Sequence, residues 1–280
     1  MRKWKITVGQ LAPKQADCTA NAKKAAEILK ECAAVGSKLL VLPELYLSGY
    51  EIAETIKDPA KKSDLQRQIT QNLTFLWECT RETGVDLLVS YPLFEANAEK
   101  PFIALEYIAK GQTLAVHKKI NLCNYAQYTE HLTFSAGDEV VAAKTENGTA
   151  GLFVCEDLWH VTNAIFAAKI GAEALFYPSA ATVIEKADGN GCLSNWKKIT
   201  VGTAFTQTSF VVCCNQAASE STMYFGGSHV VGPDGEIIAQ LPLFEEAVEH
   251  VELDMDYLEQ IRNRRPLLAN ERFEVYRKLV

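Results

Sequence analysis

The chain has 280 residues, of which 48% are hydrophobic and 22% are charged, so it can bury a large core. Its formal net charge is -7 and it has no basic block, which argues against nucleic acid or an anionic membrane as a partner. No apolar run approaches the roughly 20 residues of a membrane helix, and the N-terminal apolar segment is too short and too mixed for a signal peptide.

The cysteines and histidines do not fall into metal-binding patterns. The eight cysteines include no C-x-x-C and the five histidines no H-x-x-x-H, so we expect neither a zinc site nor a disulfide framework. This usage favours a reducing cytoplasm. The glycine-rich phosphate loop and the dinucleotide fingerprint are also absent, and we expect that no cofactor or metal is needed.

The first half alternates strands and helices before ending in strands. Strands are predicted at 6–11, 38–42, 86–92, 103–108 and 113–118. A first helix, capped by Asp17 or Thr19, ends at Gly36. A second helix opens with the capping-box spacing of 63–66.

The second half repeats this order. Strands are predicted at 152–154, 174–177, 210–214 and 248–253, with a hairpin of 229–231 and 236–240 around the turn at 233–235. Helices are predicted from the turn after residue 155 to about 170 and from 193 to 207. Two similar halves without a linker predict one α/β domain over 1–280, a four-layer α-β-β-α sandwich with two sheets face to face. The arginine-rich tail at 261–280 is expected to wrap the surface or a partner subunit.

Three chemically useful residues stand at the ends of apolar strands. Glu44 follows the apolar run 39–43, and its desolvation would raise its pKa and suit a general base. Lys119 ends another strand and can hold an oxyanion. Cys155 lies between a strand and a helix, where the helix N-terminus would favour the thiolate. Each residue alone also fits a structural role: a cap for Glu44, the surface for Lys119 and the core for Cys155.

In combination, these segments resemble the nitrilase, or carbon-nitrogen hydrolase, superfamily over nearly the whole chain. The matching segments are LPEL at 42–45, HKKINL at 117–122, EHLTFSAG at 130–137, GLFVCED at 151–157 and GGS at 226–228. The closest likeness is to the glutaminase domain of glutamine-dependent NAD synthetases, through CEDLW at 155–159 and NYAQYTE at 124–130. No synthetase half is visible. The segment TAFTQ at 203–207 departs from the wider family, and puts the shared packing or subunit contacts there in doubt.

The resemblance implies a set of roles. Glu44, Lys119 and Cys155 would form a catalytic triad, with Glu130 as an accessory acid. Substrate-binding residues would be Tyr50, Tyr125, Glu156, Asp157, Trp159, Ser179 and Ala180. The resemblance also implies a homodimer or larger homo-oligomer, with the helix after Cys155 at the interface.

The implied activity is hydrolysis of a small amide to acid and ammonia through a cysteine thioester. Three alternatives remain open at this point: a nitrilase, an acyltransferase, and an ammonia-supplying module docked on a separate synthetase. The loop 181–195 is expected to line the pocket. Because no arginine occurs between Glu82 and Ile261, we expect small neutral amides, or amides whose carboxylate is held by lysine or main chain, to be preferred over N-carbamoyl amino acids.

Overall fold

Two six-stranded sheets form the centre of the molecule in a computed structural model that describes residues 2–126, 128–219 and 221–276. The first sheet has the strands β1 (Lys3–Gln10), β2 (Leu39–Val41), β3 (Asp86–Leu93), β4 (Phe102–Ala109) and β5 (Gln112–Lys118), together with the last strand of the chain, β12 (Ala247–Asp254). The second sheet has β6 (Val141–Lys144), β7 (Thr149–Leu152), β8 (Ala174–Ser179), β9 (Phe210–Asn215), β10 (His229–Val231) and β11 (Ile237–Gln240).

The two sheets have the same pattern of strand directions. In the first sheet β1, β2 and β3 are parallel, and β12 is antiparallel to β1 at one side. At the other side β4 is antiparallel to β3, and β5 is antiparallel to β4 and so runs in the direction of β3. In the second sheet β7, β8 and β9 are parallel, and β6 is antiparallel to β7 at one side. At the other side β10 is antiparallel to β9, and β11 is antiparallel to β10 and so runs in the direction of β9. The prediction of two similar halves in an α/β sandwich is therefore confirmed.

Helices cover the outer face of each sheet. The helices are α1 (Cys18–Ala34), α2 (Ala53–Lys57), α3 (Pro59–Thr83), α4 (Val161–Lys169), α5 (Gly189–Gln207), α6 (Met255–Arg264), α7 (Leu267–Asn270) and α8 (Phe273–Tyr276). The side chain of Asp17 caps α1 by accepting from Ala20 N. Helix α3 begins four residues before the predicted capping box, because Asp58 caps it and Pro59 occupies its first position. None of the helices in the described ranges has the length and apolar character needed to span a bilayer.

Successive side chains along each strand of the second sheet point to opposite faces, and the two faces pack into two different cores. Leu152, Phe176 and Val212 belong to the apolar core that also holds the first sheet, whereas Phe153, Leu175, Tyr177 and Val211 belong to the core beneath α4 and α5. Cys214 reaches across the interface, since its Sγ lies 3.5 Å from Gly9 O and 3.4 Å from Val41 O. The sheets therefore pack face to face, as predicted.

The edges of the sheets differ from the prediction. Strand β6 was not predicted, because only Ala143 of its four residues is buried and the run shows no clear alternation. Strand β12 leaves the second half and pairs antiparallel with β1, from Lys3 opposite Asp254 to Gln10 opposite Ala247. The final strand of the chain thus occupies in the first sheet the position that β6 occupies in the second.

The first residues of the tail are bound to the rest of the protein through Arg262 and Arg265. Arg262 donates to the carbonyls of Ala172 and Thr208, at 2.8 Å and 2.9 Å. Arg265 donates to Pro233 O and stacks over the ring of Phe205. Arg277 lies outside the described residues.

Candidate active site

Glu44, Lys119 and Cys155 converge between the two sheets. Glu44 lies just after β2, Lys119 just after β5, and Cys155 three residues after β7, so all three stand at carboxyl ends of strands. Lys119 Nζ lies 2.8 Å from Glu44 Oε1. Glu44 and Lys119 are fully buried, whereas Cys155 is partly exposed to an adjoining pocket. The convergence follows from packing the sheets face to face with these strand ends on one side.

The backbone at both turns is strained. Cys155 has a φ of 46° and Leu45, directly after Glu44, has a φ of 49°. A non-glycine residue in this left-handed region costs on the order of 1–3 kcal/mol and persists only where its surroundings enforce it. Such strain often marks functional turns, and here it follows the carboxylate and coincides with the thiol.

The predicted helix N-terminus at Cys155 is wrong in detail. The residues Cys155–Trp159 form a single 3-10 turn, and α4 starts only at Val161. One turn aligns too few peptide dipoles to favour the thiolate strongly. Burial, reinforced by the negative charge of Glu44, instead raises the pKa of Cys155 well above its usual value of 9.0, against the opposing effect of Lys119. Burial of Cys155 therefore opposes the thiolate that the predicted helix N-terminus would favour.

Glu44 has the properties of a base that works near neutrality. Burial raises its pKa from 4.5 to about 7, although the neighbouring Lys119 opposes that shift. Oε2 of Glu44 is buried and has no hydrogen-bond partner among the described residues, while the Cys155 thiol is near enough to influence the pKa of the carboxyl. A free acceptor beside the thiol is what proton removal requires.

Lys119 is held as a cation. Burial acts to lower its pKa, but the neighbouring carboxylates of Glu44 and Glu130 raise it well above 10.5. Nζ donates to Glu44 Oε1 and to Glu130 Oε1, each at 2.8 Å. A lysine that stays charged can stabilise negative charge but cannot act as the base.

Both carboxylate oxygens of Glu130 accept hydrogen bonds from neighbouring residues. Its Oε1 accepts from Tyr50 Oη as well as from Lys119, and its Oε2 accepts from Cys123 N at 2.8 Å. Both oxygens are therefore occupied, and the residue is buried. This geometry fixes the Lys119 ammonium in position more directly than it could orient a water.

A pocket of about 160 Å³ opens above Cys155. Five of the predicted substrate-binding residues line it, namely Tyr50, Tyr125, Glu156, Trp159 and Ala180. Sequence reasoning missed four further lining residues outside the predicted loop 181–195, namely Cys123, Tyr128, Trp196 and Phe225. These residues come from loops and from α5, and no local motif links them. Gln127, inside the segment that resembles glutaminase domains, lies outside the described residues.

Two predicted substrate-binding residues do not line the pocket, and the prediction is corrected for both. Asp157 is fully buried, and its carboxylate accepts from Val154 N, His117 Nε2 and Asn121 N. Ser179 is also fully buried and donates to Tyr177 O at 3.1 Å. Alternation along β8 turns Ser179 away from the pocket, while Ala180, one residue later, faces it.

The predicted pocket loop contributes less than expected. Within 181–195 only Ala181, Thr182 and Cys192 line the pocket. Its polar stretch forms a 3-10 turn at Lys186–Asp188, and α5 already begins at Gly189. The Asn215 side chain fixes the near end, since it accepts from Ala181 N and donates to Ala181 O.

The arginines that the structure describes lie away from the pocket. Arg262 binds the segments that precede β8 and β9, at the strand ends opposite Cys155. No arginine lines the pocket among the described residues.

A larger hollow of about 420 Å³ also lies on that far side, beside Lys38 and Asp86, and no cysteine lines it. In the described ranges no group of three or more His, Cys, Asp or Glu side chains could hold a metal ion.

Fold and pocket together define a sandwich-type α/β enzyme with a thiol at the end of a strand. The carbon-nitrogen hydrolase family model matches residues 5–263, and the chain belongs to that family. The family is named for the hydrolysis of carbon–nitrogen bonds, and an omega-amidase and an N-carbamoylputrescine amidase are among the relatives of this chain.

Three comparisons illustrate the range of the family. The chain is 30% identical over 257 residues to a glutamine-dependent NAD(+) synthetase of Thermotoga maritima, covering 91% of this chain and 43% of that protein. It is 27% identical over 290 residues to Omega-amidase NIT3 of Saccharomyces cerevisiae, covering 98% and 95%. A carbon-nitrogen hydrolase structure from Helicobacter pylori superposes with a TM-score of 0.87 at 25% identity, covering 99% and 98%. The chain thus spans less than half the length of the NAD synthetases it matches.

Proposed function

We propose that this protein hydrolyses a small primary amide to its acid and ammonia through a thioester on Cys155. The observation that carries the proposal is the buried Lys119 ammonium, hydrogen-bonded to Glu44 and Glu130 directly beside the thiol. Burying a lysine between two carboxylates is costly unless it serves a purpose. A base, a fixed cation and a nucleophile at one point supply the groups that amide hydrolysis needs.

In the first half-reaction Glu44 removes the thiol proton as Cys155 Sγ attacks the amide carbon. The carbonyl oxygen becomes an oxyanion, held by Lys119 Nζ and by the backbone N–H of Glu156 at the open start of the 3-10 turn. Glu44 then donates its proton to the amide nitrogen, the carbon–nitrogen bond breaks, and ammonia leaves. The product of this step is the acyl thioester.

In the second half-reaction Glu44 removes a proton from water, which attacks the thioester carbon. Lys119 again holds the oxyanion, the carbon–sulfur bond breaks, and the thiolate regains the proton from Glu44. Glu130 keeps Lys119 in place throughout, because both its oxygens are already engaged. We therefore assign Glu130 a positioning role in this cycle.

The pocket limits the substrate. Six aromatic side chains line the pocket. Of its two acids, Glu130 is already engaged with Lys119 and Cys123 N, which leaves Glu156, whose Oε2 accepts from Tyr125 Oη at 2.8 Å. No arginine of the described part of the chain lines the pocket, and Lys119 is already paired with two carboxylates. The names of two relatives, a glutamine-dependent synthetase and an omega-amidase, point to terminal carboxamides. We propose a terminal carboxamide whose remaining part is neutral or carries an ammonium group.

A second candidate is supported by the NAD synthetase likeness. A chain that matches part of a glutamine-dependent enzyme could release ammonia for a separate synthetase. This function predicts weak amide hydrolysis by the isolated protein and stimulation by the partner. Co-purification followed by activity measurements with and without the partner separates it from a free-standing amidase.

Assembly and location extend the proposal. Helix α4 and its end expose the large apolar side chains of Phe166 and Ile170, which are one helical turn apart and each 52% accessible. We propose that this face joins two copies in a homodimer, since such a patch on a monomer is unusual. The eight free cysteines support a reducing cytoplasm. Light scattering on the wild type and on Phe166→Asp tests the interface.

The test of the activity is intact-mass spectrometry after mixing with a panel of amides and nitriles. We expect acyl adducts on Cys155 with primary amides, and ammonia released in equal amount to the acid. Adducts from nitriles alone would make the protein a nitrilase. The absence of any adduct on Cys155, with ammonia still released, would overturn the mechanism.

A further inference from the structure

The Asp157 carboxylate joins the segments that carry Lys119 and Cys155. Its Oδ1 accepts from Asn121 N at 2.8 Å, and its Oδ2 accepts from His117 Nε2 at 3.0 Å and from Val154 N at 3.1 Å. His117 and Asn121 stand two residues before and two residues after Lys119. Val154 directly precedes Cys155, and Asp157 follows it by two. The Asp157 carboxylate therefore binds the backbone or side chains of residues that flank Lys119 on both sides, and it also binds the residue before Cys155.

The rest of the surroundings strengthens this link. Asn163, on α4, donates from Nδ2 to Asn121 Oδ1 at 2.9 Å and to Asp157 O at 3.1 Å. His117 is fully buried and makes an edge contact with the Phe153 ring. Because a carboxylate can only accept, His117 must carry its hydrogen on Nε2. The link is thus directional and closed to solvent.

The link also explains how the strained turn persists. Cys155 has a φ of 46°, and on its two sides Val154 N donates to Asp157 Oδ2 while Asp157 N donates to Val154 O at 3.0 Å. These two hydrogen bonds close a ring around the cysteine. Without the carboxylate, Val154 N would lose its partner and the backbone could relax toward a negative φ. Such relaxation would carry the sulfur away from Lys119 and Glu44.

We propose that Asp157 and His117 are positioning residues that set the distance from the Cys155 thiol to Lys119 and Glu44. They touch neither the pocket nor the reacting atoms. The inference rests on the proposed function, because it concerns the geometry of that same site. A displacement of about 1 Å can cost on the order of 100-fold in rate, so loss of the link should slow thioester formation with little change in KM.

The variants to compare are Asp157→Asn, His117→Phe and His117→Gln. Asparagine keeps the shape but places an amide group where an acceptor is needed. Phenylalanine removes the donor, whereas the glutamine Nε2 can take the place of the histidine Nε2. His229→Phe is the matched control, since His229 is an equally buried histidine whose Nε2 lies 2.9 Å from Thr200 Oγ1 outside the pocket.

The first measurement is the single-turnover rate of thioester formation on Cys155, read by intact mass beside kcat, KM and Tm. We expect Asp157→Asn and His117→Phe to form the thioester on the order of 100-fold more slowly. His117→Gln should recover most of that rate. His229→Phe should lower Tm without slowing the step. Equal rates in wild type and both damaging variants, or the same loss in His229→Phe, would overturn the proposal.

The second measurement separates this inference from the proposed function. Iodoacetamide alkylates Cys155 whether or not any amide is a substrate, and a positioned base accelerates that reaction by on the order of 100-fold. If wild type forms no thioester, the amidase proposal fails, and alkylation still decides the positioning role. Slower alkylation in Asp157→Asn and His117→Phe supports it, and unchanged alkylation refutes it. If Asp157→Asn does not fold, the two His117 variants carry the test.

Discussion

Lys118 and Lys119 are adjacent in the chain but face opposite sides of the end of β5. Lys119 Nζ lies 2.8 Å from Glu44 Oε1 in a fully buried site. Lys118 Nζ lies 2.7 Å from Glu95 Oε1 and 4.4 Å from the centre of the Phe102 ring, near the surface. Alternation along a strand places neighbours on opposite faces, so only one of the pair can serve the thiol.

This pair supplies a matched test of the proposed oxyanion cation. Lys119→Ala should lower kcat/KM on the order of 100- to 1000-fold, the loss expected for one oxyanion donor. Lys118→Ala removes only a partly exposed ion pair and should change kcat/KM very little. Steady-state kinetics with circular dichroism on both variants makes the comparison. A damaging Lys118→Ala beside a silent Lys119→Ala would reverse the assignment.

Cys155 should be the only cysteine whose loss stops turnover. Cys155→Ala should form no thioester. Cys79 is buried on helix α3, and Cys79→Ala should retain most activity. Intact mass and ammonia release report on both variants. Because Cys123 and Cys192 also line the pocket, substitutions there are expected to alter KM before kcat. Residual thioester in Cys155→Ala would identify a different nucleophile.

The sequence was informative where a buried strand ends in a reactive residue. Glu44, Lys119 and Cys155 each follow an apolar run, and that local contrast predicted strand ends that the structure brings together. The partner of β12 was not predictable in the same way, because pairing between residues 3 and 254 leaves no local signal. Part of the pocket wall was missed for the same reason, since Trp196 of α5 and Phe225 of the segment before β10 reach it only through the fold.

Other errors arose from signals that were present. Asp58 and Pro59 together mark a helix start, and they lie just ahead of the capping-box spacing at 63–66. Asp157 was assigned to the substrate because it belongs to the cysteine motif. Asp157 lies two residues after Cys155, and a side chain at that position can equally point back into the protein. In the structure its carboxylate does so and accepts from Asn121 N and Val154 N.

The pH dependence should follow Glu44. The proposed base is active only when deprotonated, and its pKa is about 7, so kcat/KM should rise with pH through an acidic limb near that value. The negative charge of Glu130 raises the pKa of Glu44. Glu130→Gln should therefore shift the limb to lower pH, besides lowering kcat through a less well held Lys119. A pH profile of kcat/KM tests this, and a limb shifted upward would contradict the assigned charges.

The preference for substrates of a particular charge should depend on Glu156, which is buried at the pocket wall and hydrogen-bonded to Tyr125. Lys119, the cation beside the thiol, is already paired with Glu44 and Glu130, so a substrate carboxylate would find no free positive side chain among the residues lining the pocket. An ammonium group on the substrate would instead meet a carboxylate. We therefore expect kcat/KM to be higher for neutral and amine-bearing carboxamides than for N-carbamoyl amino acids.

The substitution that isolates this effect is Glu156→Gln, because it removes the charge and keeps the shape. A hydrogen bond to a charged group is worth about 1.5–3 kcal/mol, so kcat/KM for an amine-bearing amide should fall roughly 10- to 100-fold. For a neutral aliphatic amide the loss should be small, and Glu139→Gln, at an exposed position, should change neither substrate. Measuring both amides and an N-carbamoyl amino acid at one ionic strength makes the comparison clean. If the N-carbamoyl acid were the best substrate of the wild type, a carboxylate must be held by main-chain N–H groups, and the charge of Glu156 would not select the substrate.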